Sequence, residues 1–311
     1  MPAGSGSWLA DAEGPVIPPT DAAPGVRVAV DKVRITHAPL PNDEAAPGKG
    51  RARMNPATTS PRARLGFLDG ERGAHSHATL MLWDLEAIFG ATTTAATPTD
   101  YARVVVDENV LGKRTAAARK HTLNNLVNLY AMDPAVPVFR IFRQLWEQDA
   151  DGRPLLALLC ALARDPLLRG SVEAVLDAPL GKPMSSLTLA GTVTREMTPA
   201  TKKAIGTRML SSWAQAGFLD TPRKRNRVHP RATAGAAAFA LALGFMEGGR
   251  GGLLLTTPWT RLLDCPTDEV LALVRQAARR GWVEYRAAGD VMDLRVEALF
   301  TNDERGWCDG Q

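Results

Sequence analysis

The sequence predicts a mostly α-helical protein, a helical bundle followed by two winged-helix-like modules with short β-hairpins. Two observations predict it. Between residues 73 and 190, apolar residues recur at helical spacing, with short connections between the runs. Further on, two segments share one layout: a capped helix, a glycine, an aromatic–aliphatic pair and a turn. Gly217-Phe218-Leu219-Asp220 aligns with Gly281-Trp282-Val283-Glu284 in this respect.

Composition sets the outer limits. The 311 residues are 45% hydrophobic and 23% charged, ordinary for a soluble globular chain of two or three modules. The formal charge of +4 is mild, so an argument for nucleic acid must rest on where the charge sits. Cys160, Cys265 and Cys308 are odd in number and far apart. That disfavours a disulfide framework or a structural zinc site, and a reducing cytoplasm is the expected compartment. The N-terminus lacks the pattern of a secretory signal. The apolar run 234–246 is shorter than the ~20 residues of a membrane span, so no membrane partner is expected.

Residues 1–72 are rich in Pro, Gly and Ala and read as a disordered arm. Within it, residues 26–36 alternate as a strand does. Order is expected from Gly73. "SHATLMLWDLEAIFG" reads as a helix capped by Ser76 and stopped by Gly90, with Leu80, Trp83 and Ala87 on one face. His75 and His77 lack a third metal ligand nearby and read as residues of the cap region. Thr97 or Thr99 caps a short helix through Val106. Thr115 caps the next, whose stripe is Leu123, Leu126, Val127 and Tyr130. Two helices follow, the second breaking at Asp165-Pro166 because a residue before proline disfavours helix. Residues 155–162 are apolar on every side and read as a central core helix.

The expected organisation is therefore a helical domain at 73–190, a first winged-helix-like part at 191–232, and an Ala-rich helix with a Gly linker at 233–252. A second module follows at 253–300, and a tail at 301–311. Thr198 and Pro199 open the helix of the first module, and Gly217 closes it. In the second, Thr267 reads as the cap, Gly281 as the stop, and residues 288–290 as a hairpin turn.

Charge separates the two modules. Residues 198–231 hold Lys202, Lys203, Arg208, Arg223, Lys224, Arg225, Arg227 and Arg231 against the single acid Asp220. Residues 267–297 hold five Arg against six acids. The first module can neutralise phosphates. Five such contacts would give a slope of log K against log salt of roughly −4 to −5. The second suits packing on the bundle or a protein partner. A further basic cluster, Lys113, Arg114, Arg119 and Lys120, lies at a helix N-terminus, where backbone N–H groups favour phosphate. If that helix reaches back to Lys113, Lys113 and Lys120 share a face. The candidate DNA-contacting residues are therefore Lys113, Arg114, Arg119, Lys120, Lys202, Lys203, Arg208, Arg223, Lys224, Arg225 and Arg227.

The order of "ATLMLWDLEAIFG", "VVVDENVLGKRTAAARKHTLNNLVNLY", "LLALLCALARDPLLRGSVEAVL" and "ATKKAIGTRMLSSWAQAGFLD" resembles BrxA, the small DNA-binding component of BREX anti-phage systems. The resemblance covers roughly residues 73–230, and "ENVLGKRT" and "MLSSWAQAGFLD" are its most specific parts. It implies a helical, non-catalytic binder of double-stranded DNA, encoded beside a methyltransferase, a phosphatase-like protein and an ATPase. The long arm and the second module depart from the compact family pattern.

The chain holds no GxSxG, P-loop, GxGxxG or HExxH signature, so catalysis and a cofactor are not expected. Three functions remain: a DNA-binding accessory protein, an adaptor that assembles a defence complex, and an autonomous transcription regulator.

Overall fold

The computed structural model describes residues 60–71, 73–220, 224–288 and 291–309. All belong to one compact unit, Arg53–Gln311, and the expected strand at 26–36 lies outside the described residues. The fold is mostly helical, with one two-stranded antiparallel sheet.

Folded chain begins earlier than Gly73. Ser60 caps α1 (Pro61–Leu65) by accepting from Ala63 N. Leu65 and Phe67 are fully buried, so burial of these two side chains draws the end of the expected arm into the core. The expected helix from Ser76 to Gly90 is shorter. Residues Ala74–Ser76 make a single 3-10 turn, and α2 spans Leu82–Gly90. The reason is tertiary: the Asp165 carboxylate accepts from both the backbone N–H and the ring of His75, pinning residues 74–77 to the bundle. Trp83 consequently faces solvent, 78% exposed, rather than the core face its spacing predicts.

Thr97 closes a reciprocal capping box with Asp100 on α3 (Pro98–Ala102), which continues as a π-helical turn, Arg103–Asp107. Thr115 caps α4 (Ala116–Tyr130). α4 does not reach back to Lys113, so Lys113 and Lys120 do not share a helix face. α5 (Pro137–Gln148) and α6 (Arg153–Arg164) follow. At the expected break, Asp165 caps α7 (Pro166–Arg169), and α8 is Val172–Leu176. α9 spans Ser186–Gly191 and α10 Pro199–Gln215, with Thr198 as N-cap.

The core is built on α5, α6 and α11 (Ala234–Met246), which pack on one another. Every residue of α11 is buried. In α6, so is every residue from Leu155 to Ala163, as an all-round apolar sequence requires. Phe89, Phe139, Phe142, Trp146 and Phe239 form a ring cluster inside it. Each such side chain contributes about 1.5–3 kcal/mol on burial.

α9 and α10 pack closely, across the boundary expected at 190. Their crossing depends on Gly206, where an added Cβ would sit 2.2 Å from Ser186 O. After α10, Gly217 takes a left-handed φ of 87°. Its N–H donates to Ala214 O at 3.1 Å, and that of Phe218 to Trp213 O at 3.0 Å. This paired closure favours glycine, which bears no Cβ. Residues 226–228 then lie between 181–184 and 218–220. They are held by isolated antiparallel bridges Pro183↔Asn226 and Leu219↔Arg227. A regular hairpin is therefore not formed among the described residues here.

The second module opens with the 3-10 turn Gly251–Thr256 and α12 (Pro258–Arg261). α13 spans Thr267–Arg279, and Pro266, not Thr267, is its N-cap, without a side-chain cap. The helix ends with the same closure: Gly281 N–H to Ala278 O at 3.0 Å and Trp282 N–H to Ala277 O at 3.1 Å. β1 (Glu284–Ala288) and β2 (Val291–Arg295) pair antiparallel from Glu284↔Arg295 to Ala288↔Val291. Residues 301–309 are not a loose tail. α14 (Asn302–Asp309) is anchored where Arg140 Nε reaches Glu304 Oε1 at 3.0 Å, and Glu304 is 5% exposed. Among the described residues, no helix is long and apolar enough to cross a membrane.

Candidate nucleic-acid interface

The predicted cations divide by what the fold already uses them for. At the start of α4, Lys113 Nζ lies 3.1 Å from the Asp84 carboxylate. Arg119 Nη1 donates to Val106 O at 2.6 Å, tying α4 to the π-helical turn. Arg114 and Lys120 are exposed, and neither has a hydrogen-bond or ion-pair partner among the described residues. On α10, Lys202 Nζ donates to Val193 O at 2.9 Å, on the loop before the helix. Lys203 is exposed and Arg208 half-buried, and the side chains of both are unpartnered among the described residues.

The stretch between Phe218 and Val228 behaves differently from its sequence. Arg223 lies outside the described residues. Lys224 is exposed. Arg225 sits at a left-handed φ of 54° and donates to Leu210 O at 3.3 Å. Arg227 is 1% exposed. Its Nε donates to Val175 O at 2.9 Å, its Nη1 to Val228 O, and its Nη2 to Asp264 Oδ2 at 2.7 Å. The guanidinium also covers the Phe218 ring at 5.1 Å. Its expected role as a phosphate contact is therefore corrected: a guanidinium enclosed by carbonyls, a carboxylate and a ring is structural.

The 3-10 turn at residues 74–76 packs against both α4 and α10. Beneath it runs a buried chain that the sequence did not reveal. Asp165 Oδ2 is 2.8 Å from His75 Nδ1, and His75 Nε2 is 2.7 Å from Ser212 Oγ. Trp213 Nε1 donates to Ser171 Oγ at 2.9 Å, and Ser171 Oγ in turn to Leu168 O at 2.6 Å. Burial alone would raise the Asp165 carboxyl. Hydrogen bonds from the His75 ring and the backbone of Leu168 and His75, with the imidazole charge, more than offset this and hold it below 3.8.

Carboxylate, imidazole and hydroxyl stand here in the order used by nucleophilic hydrolases. All three side chains have zero exposure, so a substrate carbonyl cannot reach Ser212 Oγ unless α10 moves. Ser212 Oγ also lies 3.0 Å from Arg208 O, as a donor. The hydroxyl donates its one proton to that carbonyl when the ring nitrogen donates to it, or to His75 Nε2 when that nitrogen bears no proton. The arrangement fixes α10 to the bundle. Positions 75, 165 and 212 share no motif or spacing, so no sequence signal could have joined them.

Arg195 was also missed. It precedes α10 and lines an open cavity with Arg164 beside the 74–77 segment. Its neighbour Glu196 makes the local sequence look neutral. No group of three or more His, Cys, Asp or Glu side chains suited to a metal occurs among the described residues. His77 instead meets His121 edge-on, with ring centroids 6.4 Å apart.

No protein family, curated protein or solved structure matches the chain.

Proposed function

We propose that the protein is a non-catalytic accessory protein that binds double-stranded DNA through the phosphate backbone. The observation that carries this reading is the division of its cations. Lys113, Arg119, Lys202, Arg225 and Arg227 are engaged within the fold. Arg114, Lys120, Lys203, Arg208 and Lys224 hold charge that folding does not use. They sit just before and on α4, on α10 and in the turn after α10.

The chain order supports a winged-helix reading of residues 181–228. A short extended segment, α9, α10 and two further extended segments follow in turn, the last lying between the other two. α10 is then the helix offered to a major groove, and Lys224 belongs to the wing along the backbone. The resemblance of "ENVLGKRT" and "MLSSWAQAGFLD" to BrxA supplies the proposed setting, a bacterial anti-phage defence system.

A gel-shift titration of a generic duplex at two salt concentrations tests this. Binding that weakens as salt rises supports backbone contact, and absence of binding at low salt removes the proposal. An adaptor role is the second reading. It is favoured by Leu253, 70% exposed on the 251–256 turn, and Leu187, 65% exposed on α9, which can meet a protein partner such as a co-encoded methyltransferase, phosphatase-like protein or ATPase.

A further inference from the structure

Between the 73–77 segment, the end of α4 and the loop before α10 lies an open cavity of about 410 Å³. That is the size of a small-molecule site. Its polar lining is Ser76, His77, Asn128, Arg164 and Arg195, and no carboxylate lines it. Arg164 Nε, Nη1 and Nη2 donate to the carbonyls of Asn128, Gly66 and Val127 at 3.2, 2.7 and 3.2 Å. These three bonds hold the guanidinium in place and leave two of its five N–H groups to spare. Two of the carbonyls belong to the last turn of α4, so Arg164 also caps that helix. Capping accounts for Arg164 but not for the rest of the lining. Arg195 has no partner among the described residues. The side chains of Ser76 and Asn128 make no hydrogen bond there either, and the His77 ring meets only that of His121.

A cavity whose polar side chains all carry donors, two of them permanent cations, selects a ligand rich in acceptor oxygens and negative charge. We infer that this cavity is an anion site that takes a phosphate group, on a ligand of up to nucleotide size. Arg164 is the fixed donor. Arg195 is the adaptable one, closing over the phosphate from the loop before α10. The site does not depend on duplex binding. Its phosphate can come from a free phosphate ester or from a nucleic-acid chain, and the chemistry is the same.

Calorimetric titration of the full-length protein with inorganic phosphate, AMP and adenosine, at matched ionic strength, tests the inference. Phosphate and AMP are expected to bind and adenosine not to. Arg195→Ala is expected to weaken AMP binding about tenfold or more, the scale of a hydrogen bond to a charged group, and Arg195→Lys to restore part of it. No binding of phosphate and AMP overturns the inference. So does adenosine binding as tight as AMP, or unchanged AMP affinity in an Arg195→Ala protein with wild-type circular dichroism. Competition by a short duplex assigns the phosphate to a nucleic-acid chain, and simultaneous binding assigns it to a free ester. AMP binding by a protein that shifts no duplex keeps this site and removes the duplex proposal.

Discussion

His75 Nε2 and Ser212 Oγ stand 2.7 Å apart although 137 positions separate them in the chain. Through this contact the 74–76 turn holds the C-terminal half of α10, and Asp165 holds the turn. The helix proposed to meet DNA is thus fixed from inside the bundle. Ser212→Ala leaves a buried ring nitrogen without its partner and is expected to cost about 1–3 kcal/mol. Asp165→Ala also removes the cap on Leu168 N and is expected to cost about 3–5 kcal/mol. Urea unfolding measures both. A Ser212→Ala protein within about 0.5 kcal/mol of wild type would show that the contact does not fix α10.

Acid sensitivity follows from the same carboxylate. Its folded value lies below the ordinary 3.8. A depressed carboxylate contributes stability that is fully present above its unfolded value and lost as pH falls through the folded one. Stability from this group should therefore be constant above about pH 5 and fall below about pH 4. Thermal melts from pH 7 to pH 3 check it. Asp165→Asn should be less stable at neutral pH and show a shallower loss in acid.

Substitutions at two sites of the basic module should have opposite signatures. Arg227→Ala leaves Asp264 with only His229 Nδ1, at 2.8 Å, and removes the hydrogen bond to Val175 O and the packing on Phe218. It is expected to destabilise by about 3–5 kcal/mol, whatever its effect on DNA. Arg208→Glu with Lys203→Glu should shift stability by no more than about 0.5 kcal/mol per site. In the duplex titration, this pair should lower affinity for all sequences alike. The salt slope should fall by about one for each phosphate that is no longer neutralised. A pair that leaves affinity and slope unchanged would move the interface off α10.

Helix crossing gives a steric prediction. The Cβ of Gly206→Ala would sit 2.2 Å from Ser186 O and 2.7 Å from Ala190 N. Since both are backbone atoms, α9 must shift, at an expected cost of at least about 1–3 kcal/mol. Gly90→Ala, with open space at its Cβ, is the control and should not destabilise. Melting temperatures compare the two.

Cys160 and Cys265 should be slow to react in the native protein. Burial pushes the Cys160 thiol up to about 12 and the Cys265 thiol up to about 11. Neither is appreciably thiolate near neutral pH, and the thiolate is the nucleophile. Titration with a thiol-specific chromophore at pH 8 should proceed slowly until denaturant is added, then rapidly. A fast native reaction at Cys160 would mean that α6 opens.

Much of the fold was legible in local chemistry. Thr97, Thr115 and Thr198 cap the helices that follow them because a hydroxyl reaches an N–H three residues on. Asp165-Pro166 breaks a helix, and Gly217 and Gly281 close two in the same way, since all these effects act within a few residues. The candidate site was legible only in part. Lys203, Arg208, Arg114 and Lys120 remain as exposed or half-buried cations, yet Arg195 and Arg164 entered it unannounced, because a cavity joins residues distant in sequence.

Local sequence sufficed to say where most helices start and stop, which of them are wholly buried, and that two helices close on a glycine in the same way. Apolar periodicity, capping hydroxyls and glycine dihedrals act within a few residues, so they are readable along the chain. Long-range packing set the direction of α2, where Trp83 turned outward, and the fate of the charge. Four cations crowd into residues 223–227, yet Arg227 is enclosed by Asp264, Val175 and Phe218, and Arg225 reaches Leu210. A charge becomes structural or available according to the carboxylates and carbonyls that folding brings within hydrogen-bond reach, and these lie up to 52 positions away from Arg227 in the chain.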